Sequence, residues 1–177
     1  MTTDPMYDGR IGEGWSGSDP DGAHVNLVLA ERGSPTHAAL VATLTTPSPG
    51  HTPILVVVGE DKDHYEPVWP PTIMMNKATA LEERHQTITW GAGQLGIAQG
   101  VLDAVAEDLI PCSERVLVFV AIYIDPAAGD ETAVRRAARA ATLKAVRVAR
   151  HGRDERAARA LVQRRDAVTS PFYGGEP

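Results

Sequence analysis

The chain has 177 residues, with 17 Lys and Arg against 23 Asp and Glu, a formal charge of −6. Its 43% apolar and 23% charged content lies near globular averages, which excludes a disordered or collagen-like chain, and the single cysteine, Cys112, excludes intrachain disulfides and Cys-rich zinc sites. At this length roughly 70% of the unfolded surface is buried on folding, no apolar run reaches the roughly 20 residues of a membrane span, and no signal peptide opens the chain; one soluble cytoplasmic domain over 1–177 is expected, with no membrane partner.

Residues 1–22 are rich in Gly, Asp and Ser and read as an irregular entry with one short strand over 10–14. Residues 24–30 alternate as a half-buried strand, with Val25, Leu27 and Leu29 on one face and His24, Asn26 and Val28 on the other. Ser34-Pro35 starts a helix, Ser34 as cap and Pro35 preset at the first helical position; Ala38, Val41 and Ala42 form its stripe, and it stops before Pro47. A turn at Ser48-Pro49-Gly50 leads to a buried strand over 54–58, a polar loop over 59–67 and, past Pro70-Pro71, a short strand over 72–75.

A short helix over 80–85 and a short strand over 86–90 follow. Leu95, Ala98, Leu102, Val105 and Leu109 then step by three and four, the period of a helix, which Pro111 closes. Residues 116–124 form a nine-residue apolar run rich in β-branched residues, the mark of a central strand covered on both faces. The last long helix spans about 132–150, with Val134, Ala138, Ala141, Ala145 and Val148 inward, and the tail over 151–177 stays helical to about residue 165 before becoming coil. Strands interleaved with helices give an α/β chain, specifically an α+β two-layer sandwich.

Charge is unevenly spread. Residues 131–165 hold 11 of the 17 basic residues and three acids, a local +8 that leaves −14 on the remainder. These arginines lack interleaved aromatics and any DNA-binding motif, so they read as a solvated helix face and no nucleic-acid partner is expected.

Gly91-Ala92-Gly93-Gln94-Leu95-Gly96 satisfies G-x-G-x-x-G between an expected strand and a helix. The acid that a dinucleotide site places about 20 residues on would be Asp108 or Glu114, in or just after the helix, whereas Asp125 lies too far along. Glycines packing a helix closely against the sheet account for the motif as well. His24 begins a strand with Asn26 beside it on the same face, where an amide can orient an imidazole able to give or take a proton near neutrality. His51 is a second candidate, whereas His37, His64, His85 and His151 show no spacing suited to a shared metal.

The order of short segments carries more than any single motif. Ile11-Gly12-Glu13, Ala23-His24-Val25-Asn26-Leu27, Gly33-Ser34-Pro35, Gly50-His51-Thr52-Pro53-Ile54-Leu55 and Asn76-Lys77-Ala78-Thr79 are followed by Gly93-Gln94, Ala104-Val105-Ala106-Glu107, Ile110-Pro111 and Ala141-Thr142. In this order the chain resembles the formaldehyde-activating enzyme family from about residue 10 to 150, and Thr169-Ser170-Pro171-Phe172 looks like the tail of some bacterial members. The resemblance implies a fold related to the second domain of ribosomal protein S5, a homopentamer with active sites between subunits, and a lyase of one-carbon metabolism. Its reaction condenses formaldehyde with tetrahydromethanopterin, giving the methylene derivative and water without a metal.

Residue by residue, His24 matches the family's general acid, which helps hydroxide leave the carbinolamine, an effect typically worth roughly 10²–10⁴-fold. Lys77, Thr79 and Gln94 match its pterin-binding lysine, threonine and glutamine, and Leu55 its ring-packing leucine. Asn26 stands where the family has aspartate and so keeps the shape without the charge. Asp125 replaces a histidine after the central strand, an Ala/Arg pattern over 136–140 replaces an aromatic stretch, and the loop over 59–68 is a few residues longer. The resemblance therefore implies formaldehyde and tetrahydromethanopterin, or another pterin or amine, as substrates. The alternatives are a repurposed member running the same carbinolamine-to-iminium step on a different amine, and a non-catalytic small-molecule-binding pentamer.

Overall fold

The computed structural model describes residues 6–170 and 174–175. The expected terminal coil thus lies partly outside the described residues. Strands β1 (Arg10–Ser16) and β2 (Ala23–Glu31) form an antiparallel hairpin, longer at its first strand than the sequence suggests. Helix α1 (Pro35–Ala42) begins as expected, with the Ser34 side chain accepting from the His37 backbone N–H. After short strands β3 (Ile54–Leu55), β4 (Val57–Gly59) and β5 (Tyr65–Pro67) come β6 (Thr72–Asn76), the helices α2 (Glu83–Thr87) and α3 (Gln94–Ala106), strand β7 (Val116–Ile124), and helices α4 (Glu131–His151) and α5 (Glu155–Gln163).

Five strands make one sheet in the order β1-β2-β7-β6-β3, antiparallel except for the β6/β7 pair, while β4 and β5 form a separate hairpin. Helices α3 and α4 cover one face. The chain is thus a mixed α+β sandwich, as its alternating pattern suggests. The core lies between Val25, Leu27 and Leu29 of β2, Val118, Val120 and Ile122 of β7, and Ile97, Val101, Val134, Ala138, Ala141 and Ala145 of the two helices. Gly12 and Gly14 face α4, and a Cβ on either would collide with the carbonyl of Ala145 or Ala141, so their bareness sets how closely the helix lies on β1.

Several expectations fail for identifiable reasons. The strand expected over 86–90 is helical: α2, a π-helical turn (Ile88–Gly93) and α3 run as one continuous element. Thr87, Ile88 and Thr89 favour strand by β-branching, but burial of Ile88, Thr89, Ala92 and Gly93 along one side overrides that weak preference. The helix start expected at 80 is delayed to Glu83.

The inward stripe of α3 is also different. Leu95 and Leu102 are exposed, and burial falls on Gly96, Ile97, Ala98, Gly100, Val101 and Ala104, because small residues let α3 lie close to α4. The strand expected over 54–58 is broken in two with only Val56 fully buried, and part of the loop over 59–67 pairs as β5. Ala38, Val41 and Ala42 of α1 are exposed; Leu40 instead packs over Ala30, Ile73 and Leu117. Strand β7 is central, yet beyond Leu117 its second face is open at Phe119, Ala121 and Tyr123.

Candidate active site

That open face of the sheet carries His24 and Asn26, two of the candidate residues. The register sets Trp15 opposite His24 and Glu13 opposite Asn26 across β1/β2, then His24 opposite Tyr123 and Asn26 opposite Ala121 across β2/β7. Ala121 in turn pairs with Met75, two residues before Lys77, whose backbone N–H donates to the Ile122 carbonyl at 2.7 Å. A small residue between Asn26 and Met75 leaves room above the middle strand, and the long Lys77 side chain crosses it.

Lys77 Nζ donates to Asn26 Oδ1 at 2.7 Å and to His24 Nδ1 at 2.7 Å. With Nδ1 accepting, Nε2–H of His24 donates to Glu13 Oε1 at 3.1 Å, the tautomer that satisfies both contacts. The Trp15 ring leans over the imidazole, with centroids 6.1 Å apart. Burial holds the Lys77 ammonium well below the ordinary lysine range, at about 8, while the Glu13 carboxylate pulls in the opposite direction. His24 and Asn26 of β2, with the Glu13 carboxylate of β1 behind them, thus surround the half-buried amine of Lys77, which follows β6.

The remaining sequence candidates lie outside this cluster. Thr79 is exposed and bonds His51: the His51 Nδ1–H donates to the Asn76 carbonyl at 3.0 Å, leaving Nε2 to accept from Thr79 Oγ1 at 3.0 Å. Asn76, 2% exposed, ties the same corner together by donating to the Gly50 and Ala78 carbonyls. Leu55 is exposed on the edge strand β3, paired with Ile73 and so on the open face. Gln94, at the start of α3, accepts from the Val57 N–H at 3.2 Å and donates to the Trp90 carbonyl at 3.0 Å; with β4 and β5 it borders a depression of about 540 Å³.

Sequence reasoning quoted Glu13 only as part of a family segment, and left out Trp15 and Tyr123. The signal was available for Glu13 and Trp15, since a short turn after β1 places them across from Asn26 and His24. Gly91–Gly96 lies within a continuous helix, so its backbone N–H groups are not a free helix terminus on which a pyrophosphate could sit. Among the described residues no three His, Cys, Asp or Glu side chains cluster as a metal ligand set, and no helix is long and apolar enough to cross a membrane.

Residues 11–173 match the family model described as formaldehyde-activating enzyme. Over 164 residues the chain is 30% identical to a protein of Methanosarcina barkeri (strain Fusaro / DSM 804) named 5,6,7,8-tetrahydromethanopterin hydro-lyase, covering 92% of this chain and 89% of that one. It is 32% identical over 144 residues to a "Bifunctional enzyme Fae/Hps" of Methanothrix thermoacetophila, covering 80% of this chain and 36% of the relative. A protein of the same name from Methanosphaera stadtmanae is 31% identical over 123 residues, with 68% and 29% covered. This chain thus spans about a third of the bifunctional relatives' length and nearly the whole of the hydro-lyase. The sheet, the match across 11–173 and the full-length likeness to a lyase lead to one conclusion: the chain belongs to the formaldehyde-activating enzyme family.

Proposed function

We propose that this chain condenses formaldehyde with tetrahydromethanopterin, or a closely related pterin amine, to a methylene adduct plus water, with His24 as general acid and base. The observation that carries the reading is the Lys77 amine bridging His24 and Asn26 at 2.7 Å on the open sheet face. A substrate nitrogen adds its lone pair to the aldehyde carbon, the C=O pair moves to oxygen, and the proton shed by that nitrogen goes to the oxygen to give the carbinolamine hydroxyl. Imidazolium, steadied by Glu13, protonates the resulting hydroxyl, which leaves as water and gives an iminium. The second substrate nitrogen closes the ring and returns its proton to His24. Lys77, Thr79 and Gln94 bind the pterin, Leu55 packs on its ring and Asn26 orients Lys77 and His24. No metal is asked for.

In a single chain the substrate-binding candidates fall into separate groups: His24, Asn26 and Lys77 in one, Gln94 at the helix layer in another. We take this division, with exposed Ile11, Leu81, Leu95 and Leu102, as support for a homopentamer whose sites lie between subunits. Residues 1–177 act as one unit with 151–177 as an appendage, and the exposed thiol of Cys112 suits the reducing cytoplasm. The second reading, a different amine as substrate, is favoured by Asn26, which gives Lys77 a neutral partner. The test is formaldehyde consumption with tetrahydromethanopterin against the uncatalysed background. Wild type accelerates it and His24→Ala loses roughly 10²-fold or more. Absence of acceleration in the wild type would exclude this substrate.

A further inference from the structure

The proposed reading gives Lys77 only a binding role, and its surroundings suit more than that. Its two hydrogen bonds go to neutral acceptors, His24 Nδ1 and Asn26 Oδ1, and among the described residues no carboxylate oxygen lies within ion-pair distance of Nζ. The carboxylate that acts on it, Glu13, is bonded to the far nitrogen of His24. A neutral lysine amine has two N–H donors and one lone pair. Both donors are used here, so the lone pair of the neutral amine projects away from His24 and Asn26. Half-burial brings the neutral form within reach near physiological pH, as desolvation does for nucleophilic lysines. The groups facing Nζ are thus an acid/base and an amide, the set a carbonyl-trapping amine requires.

We propose that Lys77 is itself the first acceptor of formaldehyde, forming a lysine-bound methylene iminium that it then passes to the pterin amine. This rests on the reaction proposed above and assigns its first covalent step to the protein. The Nζ lone pair attacks the aldehyde carbon, and the C=O π pair becomes an alkoxide. The ammonium proton that Lys77 gives up on becoming the neutral amine passes through the existing hydrogen bond to His24 Nδ1 and makes the imidazolium, while the proton shed by the attacking nitrogen goes to the alkoxide oxygen, giving a carbinolamine. A second proton, from the imidazolium, converts the hydroxyl to departing water as the nitrogen lone pair forms C=N⁺. The substrate nitrogen adds to this carbon and transfers its proton to Nζ. Lys77 then leaves as a neutral amine, and the substrate iminium closes on its second nitrogen, whose proton re-forms the imidazolium. No oxidant or reductant enters.

The chain supplies its own references, because it contains only two other lysines, Lys62 and Lys144, both exposed. Full-length protein is mixed with equimolar formaldehyde near neutral pH, reduced with cyanoborohydride without pterin, and mapped by fragment-ion mass spectrometry. The expected result is N-methylation of Lys77 exceeding that of Lys62 and Lys144 by roughly tenfold or more, since a lysine lowered by over two pKa units carries roughly 10²-fold more free amine. Labelling spread evenly over the three lysines, or concentrated on the exposed pair, overturns the proposal. Lys77→Arg keeps a cation and donors but forms no carbinolamine, and it is expected to bind tetrahydromethanopterin yet lose catalysed turnover. Turnover retained by Lys77→Arg overturns the covalent route and leaves the overall reaction standing. A wild type that labels selectively but does not accelerate the pterin reaction keeps the covalent step and rejects that co-substrate.

Discussion

At the level of single side chains, one of the positions read as departing from the family pattern, Asn26, is in hydrogen-bond contact with the Lys77 amine. Asn26 accepts from Lys77 where an aspartate would form an ion pair, and burial then depresses the ammonium without a carboxylate in contact to oppose it. Two substitutions should move the Lys77 titration in opposite directions from its value of about 8. Asn26→Asp stabilises the charged form and raises it, whereas Glu13→Gln removes the carboxylate that holds it up and lowers it, each by roughly one unit. Carbon-detected NMR of the methylene next to Nζ reads both shifts, and two shifts of the same sign would break the account. The pairing of His24 with Asn26 was legible from strand alternation alone. Lys77 was not, because it lies 53 and 51 residues away and meets them only through the parallel β6/β7 register.

At the level of elements, small residues decide where the helices go. A Cβ on Gly100 would sit 2.6 Å from the Arg139 carbonyl oxygen and 2.7 Å from Thr142 Cβ, contacts that no flexible side-chain tip can relieve. Gly100→Ala therefore pushes α3 from α4, and after the propensity gain of alanine it destabilises by about 1–2 kcal/mol. Gly91, in the same glycine run, has nothing within 4 Å of such a Cβ, so Gly91→Ala stabilises by about 0.5–1 kcal/mol. Urea denaturation of the two variants separates these signs. The same small residues explain why the inward face of α3 differs from the expected one: Leu95 and Leu102 dominate a hydrophobicity pattern, but Gly96 and Gly100 make the close contact with α4. By contrast β2 was legible because its burial alternates cleanly, and α4 because Val134, Ala138, Ala141 and Ala145 are buried at the helical period, although Val146 and Ala149 rather than Val148 complete the stripe; β7 was legible as a strand but not in the opening of its second face. The arginines of α4, read from sequence as a solvated face, partly bridge the helix layer: Arg139 makes two bonds to Asp103, at 2.6 and 2.7 Å, and Arg147 grips Glu107.

At the level of the whole molecule, one face of the sheet is sealed by α3 and α4 and the other is left to α1 at one end. The pentamer proposed above accounts for the apolar residues still exposed, and light scattering at micromolar concentration should return five times the 18.9 kDa chain mass. A monomer mass would end that proposal. The division between faces has a consequence for how such a protein can diverge. Along β2 every second residue, Val25, Leu27 and Leu29, holds the fold, while the alternate positions, among them His24 and Asn26, lie on the open face where the reaction is proposed. Stability and chemistry are thereby written on alternate letters of the same strand. Asn26 could replace an acid without disturbing the buried layer beneath it, and further exchanges on that face are open to a lineage changing its substrate. The fold can stay fixed while its reactive surface is rewritten.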